Sequence, residues 1–324
     1  DVVYAYDGVG NIASMDHRVT DVGEEAKNAI TRTFGYDPLY RLTSATGARE
    51  LAIDEPKPWE GFHDVASHSE NNDPQNTRIY DETYQYDDVG NLGKLTHAYG
   101  TGPDQWHRSY STESGSNRIS GLDVDGTSYT YSHDAAGNMV QENTARKYEW
   151  DHAGRMASFR VQTSGSQASV FGHYTYDGGG QRVQKVVSNS STHTRTVYVG
   201  GSFEHRQIIE NDAVSTENQT LHLMDDAGRV ATHRAGPELD GNSRPATRYH
   251  LSDHLQSSCV VVDGSGSQFS REEYRPYGET SFGSFEYKRY RFTGKEKDAE
   301  SGLHYHGARY YAPWLARWTA PDPK

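Results

Sequence analysis

Two groups of histidines have residue types and spacing that come closest to those of a metal site. His304 and His306 flank a tyrosine, and His250 lies near Asp253 and His254. Alternate side chains of a strand point to the same face, so a strand at His-Tyr-His would aim both imidazoles in one direction, where zinc could bind. The sequence has no CxxC, HExxH or other ligand pair to complete the site. We therefore predict ordinary strand alternation here, with no metal and no cofactor.

The pattern Asp-x-x-Gly recurs along the chain, and a single copy could pass for a ligand-binding loop. Calcium loops need three or more oxygen ligands at close spacing, whereas the repeating Asp of one copy is at least 17 residues from the next. The glycine-rich copy YTYDGGGQR lacks the spacing and the lysine of phosphate-binding loops. We interpret the pattern as a turn. Its Asp side chain accepts a hydrogen bond from the backbone N–H two residues on, and Gly occupies the fourth position of the turn. The seven copies start at Asp7, Asp87, Asp134, Asp151, Asp177, Asp225 and Asp263.

Short alternating strands flank these turns. VVYAY precedes the first copy and NIASM follows it, and an aromatic residue often stands directly before Asp, with Asn or Arg after Gly. An eighth copy, YDPLYR, has Tyr40 in the place of Gly. Each unit is therefore predicted to be a β-hairpin. Because the spacing is too uneven for propeller blades, we predict an all-β fold of consecutive antiparallel hairpins that form an extended, curling sheet.

The composition agrees with an ordered β protein that has no simple polyanionic partner. The chain has 324 residues and 23 Tyr, whose large rings suit half-exposed sheet. Its net charge of -13 disfavours nucleic acid and anionic membrane. Protonation of all 16 His would move that charge to -13 + 16 = +3, so we expect stability to depend on pH between roughly 5 and 7. The single Cys259 excludes an internal disulfide.

Several segments together resemble a known family. The hairpins with Tyr-Asp-x-x-Gly-Asn are the hallmark of YD-repeat, or RHS, proteins, and the tail YRFTGKEKDAESGLHYHGARYYAPWLARWTAPDP resembles the RHS-associated core signature. YHLSDHLQSSCVVVDGSG and EEYRPYGET resemble two further parts of that core. The family usually has Gly-Ser after Asp-His-Leu, whereas this chain has Gln256 and Ser257, so we expect the local turn to differ. Details such as YDPLYRLTSATGARE resemble the C component of bacterial Tc insecticidal toxin complexes most closely.

The resemblance implies a fold and a division of the chain. In that family the repeats spiral into a hollow β shell around a variable C-terminal toxin, and this chain is long enough to form only part of such a shell. We expect residues 1–248 to form the hairpin array, with a loop insertion at about 50–78, and residues 249–324 to form the core region, which stops before the cleavage site. We expect the charged run GKEKDAESG at 294–302 to be a solvated face with a short helical turn.

The resemblance also implies one catalytic site. In the family, the Arg of the Gly-x-Arg-Tyr-Tyr segment and the Asp of the following Asp-Pro act with a downstream Asp in self-cleavage, and Arg309 and Asp322 match these positions. Two carboxylates that share a site can split their pKa values and work as an acid–base pair. No second Asp follows within this sequence, so we expect an incomplete aspartyl-type autoprotease site without turnover.

These observations predict a structural role. The chain is expected to be a shell segment that encloses a toxic effector, with the effector and the remaining, TcB-like shell as its partners. No nucleic-acid partner and no membrane insertion are expected. The chain shows no signal peptide and no long apolar run, and the resemblance implies secretion or extracellular delivery by a bacterium. Two alternatives remain open: a protease that retains hydrolytic activity, and a cell-surface adhesion or glycan-binding module.

Overall fold

The computed structural model describes most of the chain. It covers residues 2–17, 31–50, 77–99, 105–163, 165–189, 192–283 and 288–323. The predicted loop insertion at about 50–78 lies outside these residues, apart from its two ends, which belong to strands. Within the described ranges, regular structure consists of β-strands and two short 3₁₀ turns, and no helix is long and apolar enough to cross a bilayer.

Most strands pair antiparallel with the next strand in the chain. Within the described residues these 22 strands follow one another as hairpins. They are β1 Val2–Tyr6, β2 Ile12–His17, β3 Arg32–Tyr36, β4 Leu42–Glu50, β5 Thr77–Tyr86, β6 Leu92–Tyr99, β7 Gln105–Thr112, β8 Ile119–Val124, β9 Thr127–His133, β10 Met139–Glu142, β11 Arg146–Trp150, β12 Met156–Val161, β13 Val170–Tyr176, β14 Arg182–Asn189, β15 Thr192–Val199, β16 Phe203–Glu210, β17 Ala213–Met224, β18 Arg229–Ala235, β19 Thr247–Ser252, β20 Ser258–Val262, β21 Gln268–Tyr274 and β22 Thr280–Gly283. The predicted all-β class and its consecutive hairpins are confirmed.

A second, smaller sheet follows near the C-terminal end of the described chain. Its four strands are β23 Glu296–Lys297, β24 His304–Tyr305, β25 Tyr310–Ala312 and β26 Arg317–Trp318, again paired in chain order. The 3₁₀ turns Phe292–Gly294 and Pro313–Leu315 lie before β23 and between β25 and β26. The run at 294–302 therefore begins with the end of a 3₁₀ turn and continues into a strand.

The chain divides by its contacts into two compact units. The first contains the described residues up to Thr130 together with residues 272–283, and the second contains Tyr131–Arg271 and the described residues from 288 onward. This division follows spatial contacts, whereas the predicted division into 1–248 and 249–324 follows the repeat pattern and stays a prediction. We call residues 272–283 the first core segment and residues 288–323 the terminal core segment.

The first unit buries aromatic side chains together with acidic and basic ones. In β5, strict alternation buries Tyr84 and Glu82 on the same face, and Tyr84 packs with Trp106 and other buried side chains. Nδ1 of His97 lies 2.9 Å from Oε1 of Glu82. Burial alone would raise the pKa of Glu82, but the His97 hydrogen bond and the charge of Arg275 lower it. The interior of this unit is therefore partly ionic as well as apolar.

The first core segment binds the hairpins of its own unit through polar side chains. Both guanidinium nitrogens of Arg108 donate to the Glu279 carboxylate, at 2.6 and 2.9 Å. The hydroxyl oxygens of Tyr86 and Tyr277 are 2.7 Å apart. These contacts join residues far apart in sequence, so the first core segment fastens several hairpins of the first unit at once.

Candidate functional site

The repeated turn is built as its sequence predicts. Oδ1 of Asp7 accepts from the backbone N–H groups of Val9 and Asn11, at 3.0 and 2.9 Å. The N–H of Gly10 donates to the carbonyl of Asp7, and Gly10 has a φ of 95°, which favours glycine. Five further copies have the same arrangement, at Asp87, Asp134, Asp151, Asp177 and Asp263. The predicted turn is confirmed at these positions.

The residue after Gly has a function that the sequence pattern shows only as a preference. Nδ2 of Asn11 donates to Oδ2 of Asp7 at 2.8 Å, and in another copy Nε of Arg155 donates to Oδ2 of Asp151 at 2.7 Å. The Asn11 hydrogen bond, with those from the backbone, lowers the pKa of Asp7. Asn and Arg therefore recur because each saturates the second carboxylate oxygen.

Two copies keep the turn without glycine. Tyr40 has a φ of 62° and Gln256 a φ of 66°, in the left-handed region that L residues rarely adopt. Asp253 still accepts from the backbone of Ser257, and Gln256 N–H donates to the carbonyl of Asp253. The expectation of a different local turn at Gln256 is therefore wrong, because the Asp side chain imposes the same hydrogen bonds on a strained residue. The copy at Asp225 does differ, closing one residue earlier.

The aromatic residue before Asp joins one hairpin to the preceding one. In each case the side-chain O–H or N–H of this aromatic residue donates to a backbone carbonyl of the preceding hairpin. The accepting residue is the first residue of the strand that follows the turn of that hairpin. The bonds run from Tyr36 to Ile12 at 2.9 Å, from Tyr86 to Leu42 at 2.7 Å, from Trp150 to Met139 at 2.7 Å and from Tyr176 to Met156 at 2.8 Å. We call this contact the hairpin joint.

Arginine reinforces two of these joints. The guanidinium of Arg41 lies 4.9 Å from the ring centre of Tyr86, and that of Arg155 lies 5.1 Å from Tyr176. The same guanidinium of Arg155 donates to the carbonyl of Asp177 at 3.3 Å. Each such Arg thus closes its own turn and stacks on the aromatic ring of the next hairpin. The joint is therefore a structural contact between neighbouring hairpins.

The acidic residues of the charged run at 294–302 are buried, contrary to the prediction of a solvated face, while Lys295 of the same run is exposed. Glu296 and Asp298 pack against β14, where Arg182 donates to one carboxylate oxygen of each at 2.6 Å. Nζ of Lys185 adds bonds of 2.6 Å to Asp298 and 3.1 Å to Glu296. Tyr174 donates to Glu300 at 2.8 Å. We call these charged residues of β14 and the terminal core segment the ion cluster.

The electrostatics of the ion cluster hold most of its groups charged. Burial by itself would raise the pKa of Glu296, but Lys185, Arg182 and Arg289 together keep it well below its usual range. The pKa of Lys185 is raised, because Asp298 and Glu296 outweigh the opposing effect of burial. Such a cluster is costly to assemble and costly to break, since removing one partner leaves an uncompensated buried charge.

A further acid in the same region is held by the terminal core segment. Glu204 of β16 pairs with Arg289, and its other carboxylate oxygen lies 3.1 Å from Nε2 of His222. Burial would raise the pKa of Glu204, but the charge of Arg289 and the His222 hydrogen bond lower it to about 2. β14 and β16 therefore both carry charges that receive the terminal core segment.

The structure brings Arg309 and Asp322 together. Nη2 of Arg309 is 3.2 Å from Oδ2 of Asp322, with the side chains 23% and 58% exposed. The guanidinium also lies 4.2 Å from the ring centre of Trp318. β25 begins directly after Arg309, and its partner β26 precedes Asp322, so the small sheet positions both groups. The pair is therefore accessible to solvent.

The histidines form separate contacts. His304 is buried against the edge of Phe292, and His306 packs edge-on against Trp318 at 4.8 Å. His250 lies in hydrogen-bond contact with Ser258 at 3.0 Å. Burial lowers the pKa of His250 to about 3 and that of His306 to about 4. Among the residues that the structure describes, no group of three or more His, Cys, Asp or Glu could hold a metal ion.

Known proteins resemble this chain over its whole length. The family model described as Teneurin YD-shell matches residues 5–324. Toxin subunit YenC1 of Yersinia entomophaga is 32% identical over 339 residues, which cover 100% of this chain and 34% of YenC1. Toxin protein Tse5 of Pseudomonas aeruginosa is 26% identical and is matched over 99% of this chain and 21% of its own length. The chain thus spans about a third of YenC1 and less of Tse5.

Solved structures have the same fold. The crystal structure of TcdB2-TccC3 superposes with a TM-score of 0.82 at 26% identity, covering 99% of this chain and 16% of that one. The Photorhabdus luminescens Tc holotoxin pore gives a TM-score of 0.80 at 25% identity, covering 99% and 15%. The hairpin joints and the core segments are consistent with the fold that these matches indicate. The chain belongs to the YD-shell family of YD-repeat proteins and, within it, is similar to the C-type subunits of Tc toxins.

Proposed function

We propose that this chain is a wall segment of a bacterial toxin shell that encloses an effector and is delivered outside the producing cell. The observation that supports this most directly is the hairpin joint, which repeats along the chain and links neighbouring hairpins without forming a ligand site. Structural relatives that combine TcdB2 with TccC3 suggest that the rest of the shell includes a second, TcB-like component. Neither nucleic acid nor direct membrane insertion has a part in this function.

The terminal core segment is proposed to contribute to release of the effector by self-cleavage. Arg309 lies 3.2 Å from the carboxylate of Asp322, and the two residues flank strands of the small sheet. A second aspartate, from sequence that follows this chain, would complete an acid–base pair in which one carboxylate activates water and the other protonates the leaving amine. Arg309 would then orient Asp322 and keep its charge balanced.

Self-cleavage can be tested in a full-length protein that continues past Lys324 into an effector. The expected result is a free effector in the wild type and an uncut chain in Asp322→Asn, detected by intact mass. Asp226→Asn is the matched control, because Asp226 is also exposed but lies outside the terminal core segment. An effector released equally from Asp322→Asn would show that cleavage does not use this carboxylate.

The adhesion alternative makes a different prediction. A glycan-binding YD-repeat module should retain glycans on an array whether or not an effector is attached. Binding to a defined glycan class by the isolated chain would favour adhesion over enclosure, and an array without hits would leave enclosure as the better account.

A further inference from the structure

The ring of Trp318 receives both ends of the turn that precedes β25. This short turn joins β24 to β25, and it is closed by the N–H of His306, which donates to the carbonyl of Arg309 at 2.9 Å. The guanidinium of Arg309 lies 4.2 Å from the centre of the Trp318 ring. The ring centres of His306 and Trp318 are 4.8 Å apart, at an interplanar angle of 87°. The turn therefore packs its two end residues on one indole.

The indole is itself held in place by the strands around it. Trp318 stands directly opposite Tyr311 in the pairing of β25 with β26, and the two ring centres are 5.4 Å apart. The N–H of the next residue, Thr319, donates to the carbonyl of Tyr310 at 2.9 Å. The carbonyl of Thr319 accepts from the N–H of Met139 at 2.8 Å. With its backbone fixed in this way, the half-buried Trp318 ring can orient a flexible side chain.

The ion pair of Arg309 with Asp322 is too weak to fix the guanidinium alone. Nη2 of Arg309 and Oδ2 of Asp322 are 3.2 Å apart, but the side chains are 23% and 58% exposed. Ion pairs between exposed side chains contribute little, because solvent screens the attraction and two flexible chains have to be ordered. A second contact is needed to keep the guanidinium in one place beside the carboxylate.

The Trp318 ring supplies that second contact. A guanidinium within about 6 Å of an aromatic ring centre is attracted by the negative charge of the ring face, and Trp gives the strongest contact of this kind. At 4.2 Å, Arg309 lies well within this range. His306 shares the ring without repelling the cation, because burial lowers the pKa of its imidazole to about 4 and the group is neutral near neutral pH.

We propose that Trp318 is a positioning residue of the self-cleavage site, which holds the guanidinium of Arg309 beside the carboxylate of Asp322. The indole has a single N–H donor and no group that titrates near neutral pH, so Trp318 acts through Arg309 and takes no part in proton transfer. Its effect on the cleavage rate rests on the self-cleavage proposed above. Its effect on Arg309 can be measured without cleavage.

Chemical modification of arginine tests the positioning directly. The full-length protein is treated with phenylglyoxal, which reacts with guanidinium groups, and modification of Arg309 is followed by peptide mass mapping. Arg309 should react about threefold faster in Trp318→Leu than in the wild type, whereas Trp318→Phe keeps an aromatic face and should react at nearly the wild-type rate. Arg291 is the internal reference, because it is 1% exposed within the same terminal core segment and becomes reactive only if that segment unfolds.

The rate of self-cleavage gives a second readout. A full-length chain that continues past Lys324 into an effector is made by cell-free translation, and the cut fraction is followed over time. Trp318→Leu should slow cleavage about threefold, and Trp318→Phe should stay close to the wild type. Tyr249→Leu is the matched control, because it also removes a partly exposed aromatic ring but lies on β19, outside the terminal core segment. It should leave the cleavage rate unchanged.

Three results would overturn the proposal. Equal modification rates of Arg309 in the wild type and in Trp318→Leu would show that the ring does not hold the guanidinium. A parallel rise in the modification of Arg291 would show that Trp318 stabilises the whole segment. Equal slowing by Trp318→Leu and Trp318→Phe would assign the effect to packing and not to the aromatic face. A wild-type chain that is never cut would instead contradict self-cleavage, and the modification rates would still decide whether Trp318 holds Arg309.

Discussion

At the scale of single residues, the turn at Tyr40 shows how strongly the Asp side chain imposes its geometry. Tyr40 is exposed, so little packing depends on it, yet its φ of 62° is unfavourable for any residue with a Cβ. Tyr40→Gly should therefore raise the free energy of unfolding by about 0.5–1 kcal/mol, measured by urea denaturation.

The matched change is the reverse substitution in another copy of the turn. Gly10 has a φ of 95° and no atom within 4 Å of a Cβ placed there, so Gly10→Ala tests conformation without a steric clash. It should lower the free energy of unfolding by about 1 kcal/mol. A destabilising Tyr40→Gly, or a neutral Gly10→Ala, would contradict the assignment of strain.

The buried histidines predict the sign of the pH dependence. Burial and the nearby Lys295 and Arg309 lower the pKa of His306 from 6.5 to about 4. A lowered histidine pKa favours the neutral folded form, so its contribution to stability is complete above pH 6.5 and is lost as the pH falls towards 4. Between pH 7 and 4 the wild type should lose about 2 kcal/mol more stability than His306→Gln. Parallel stability profiles of the two proteins would contradict this prediction. The pH range expected for His306, from 6.5 down to about 4, reaches below the range of roughly 5 to 7 that the sequence predicts.

At the scale of elements, the hairpin joint explains why an aromatic residue precedes Asp. Tyr86→Phe removes a hydroxyl that donates to the Leu42 carbonyl and contacts Tyr277. Because these partners lose a hydrogen bond, the free energy of unfolding of the first unit should fall by about 1–2 kcal/mol. Tyr6→Phe is the control, since Tyr6 is exposed and stands in the first hairpin of the chain. If Tyr86→Phe and Tyr6→Phe lowered the free energy of unfolding equally, the hairpin joint would not explain why an aromatic residue precedes Asp.

A second prediction at the scale of elements concerns the ion cluster. Arg182→Met leaves Glu296 and Asp298 buried with one cation fewer. It should lower the free energy of unfolding, measured by chemical denaturation, by about 3–5 kcal/mol. Arg160→Met breaks the exposed pair with Glu149 and should cost less than about 1 kcal/mol. If the free energy of unfolding fell by the same small amount in both variants, the ion cluster would not hold the terminal core segment in place.

The elements differ in how far the sequence predicts them. Turns and hairpins can be predicted because their causes are local: Asp7 binds backbone groups two and four residues on. The burial of Glu296 cannot be predicted in this way, because its partner Arg182 is 114 residues away and a charged run normally faces solvent. Arg309 and Asp322 were identifiable by resemblance to a family, and the structure adds their contact at 3.2 Å.

At the scale of the whole molecule, the chain combines a repetitive wall with two segments that fasten it. Residues 272–283 bind the hairpins of the first unit, and residues 288–323 bind those of the second. Repetition supplies a sheet that can be extended by further hairpins, whereas the ion pairs give each unit a specific interior. The YD motif is therefore architectural, and the candidate cleavage residues lie in the terminal core segment.

Protection of an enclosed cargo is the most direct test of this account. A reporter protein would be joined after Lys324 in the full-length protein, assembled with its shell partner and exposed to a protease, and reporter digestion would be followed over time. The account predicts that the reporter resists digestion while the shell is intact and is digested rapidly once the shell is denatured. Digestion at the rate of the free reporter, with the shell intact, would contradict enclosure.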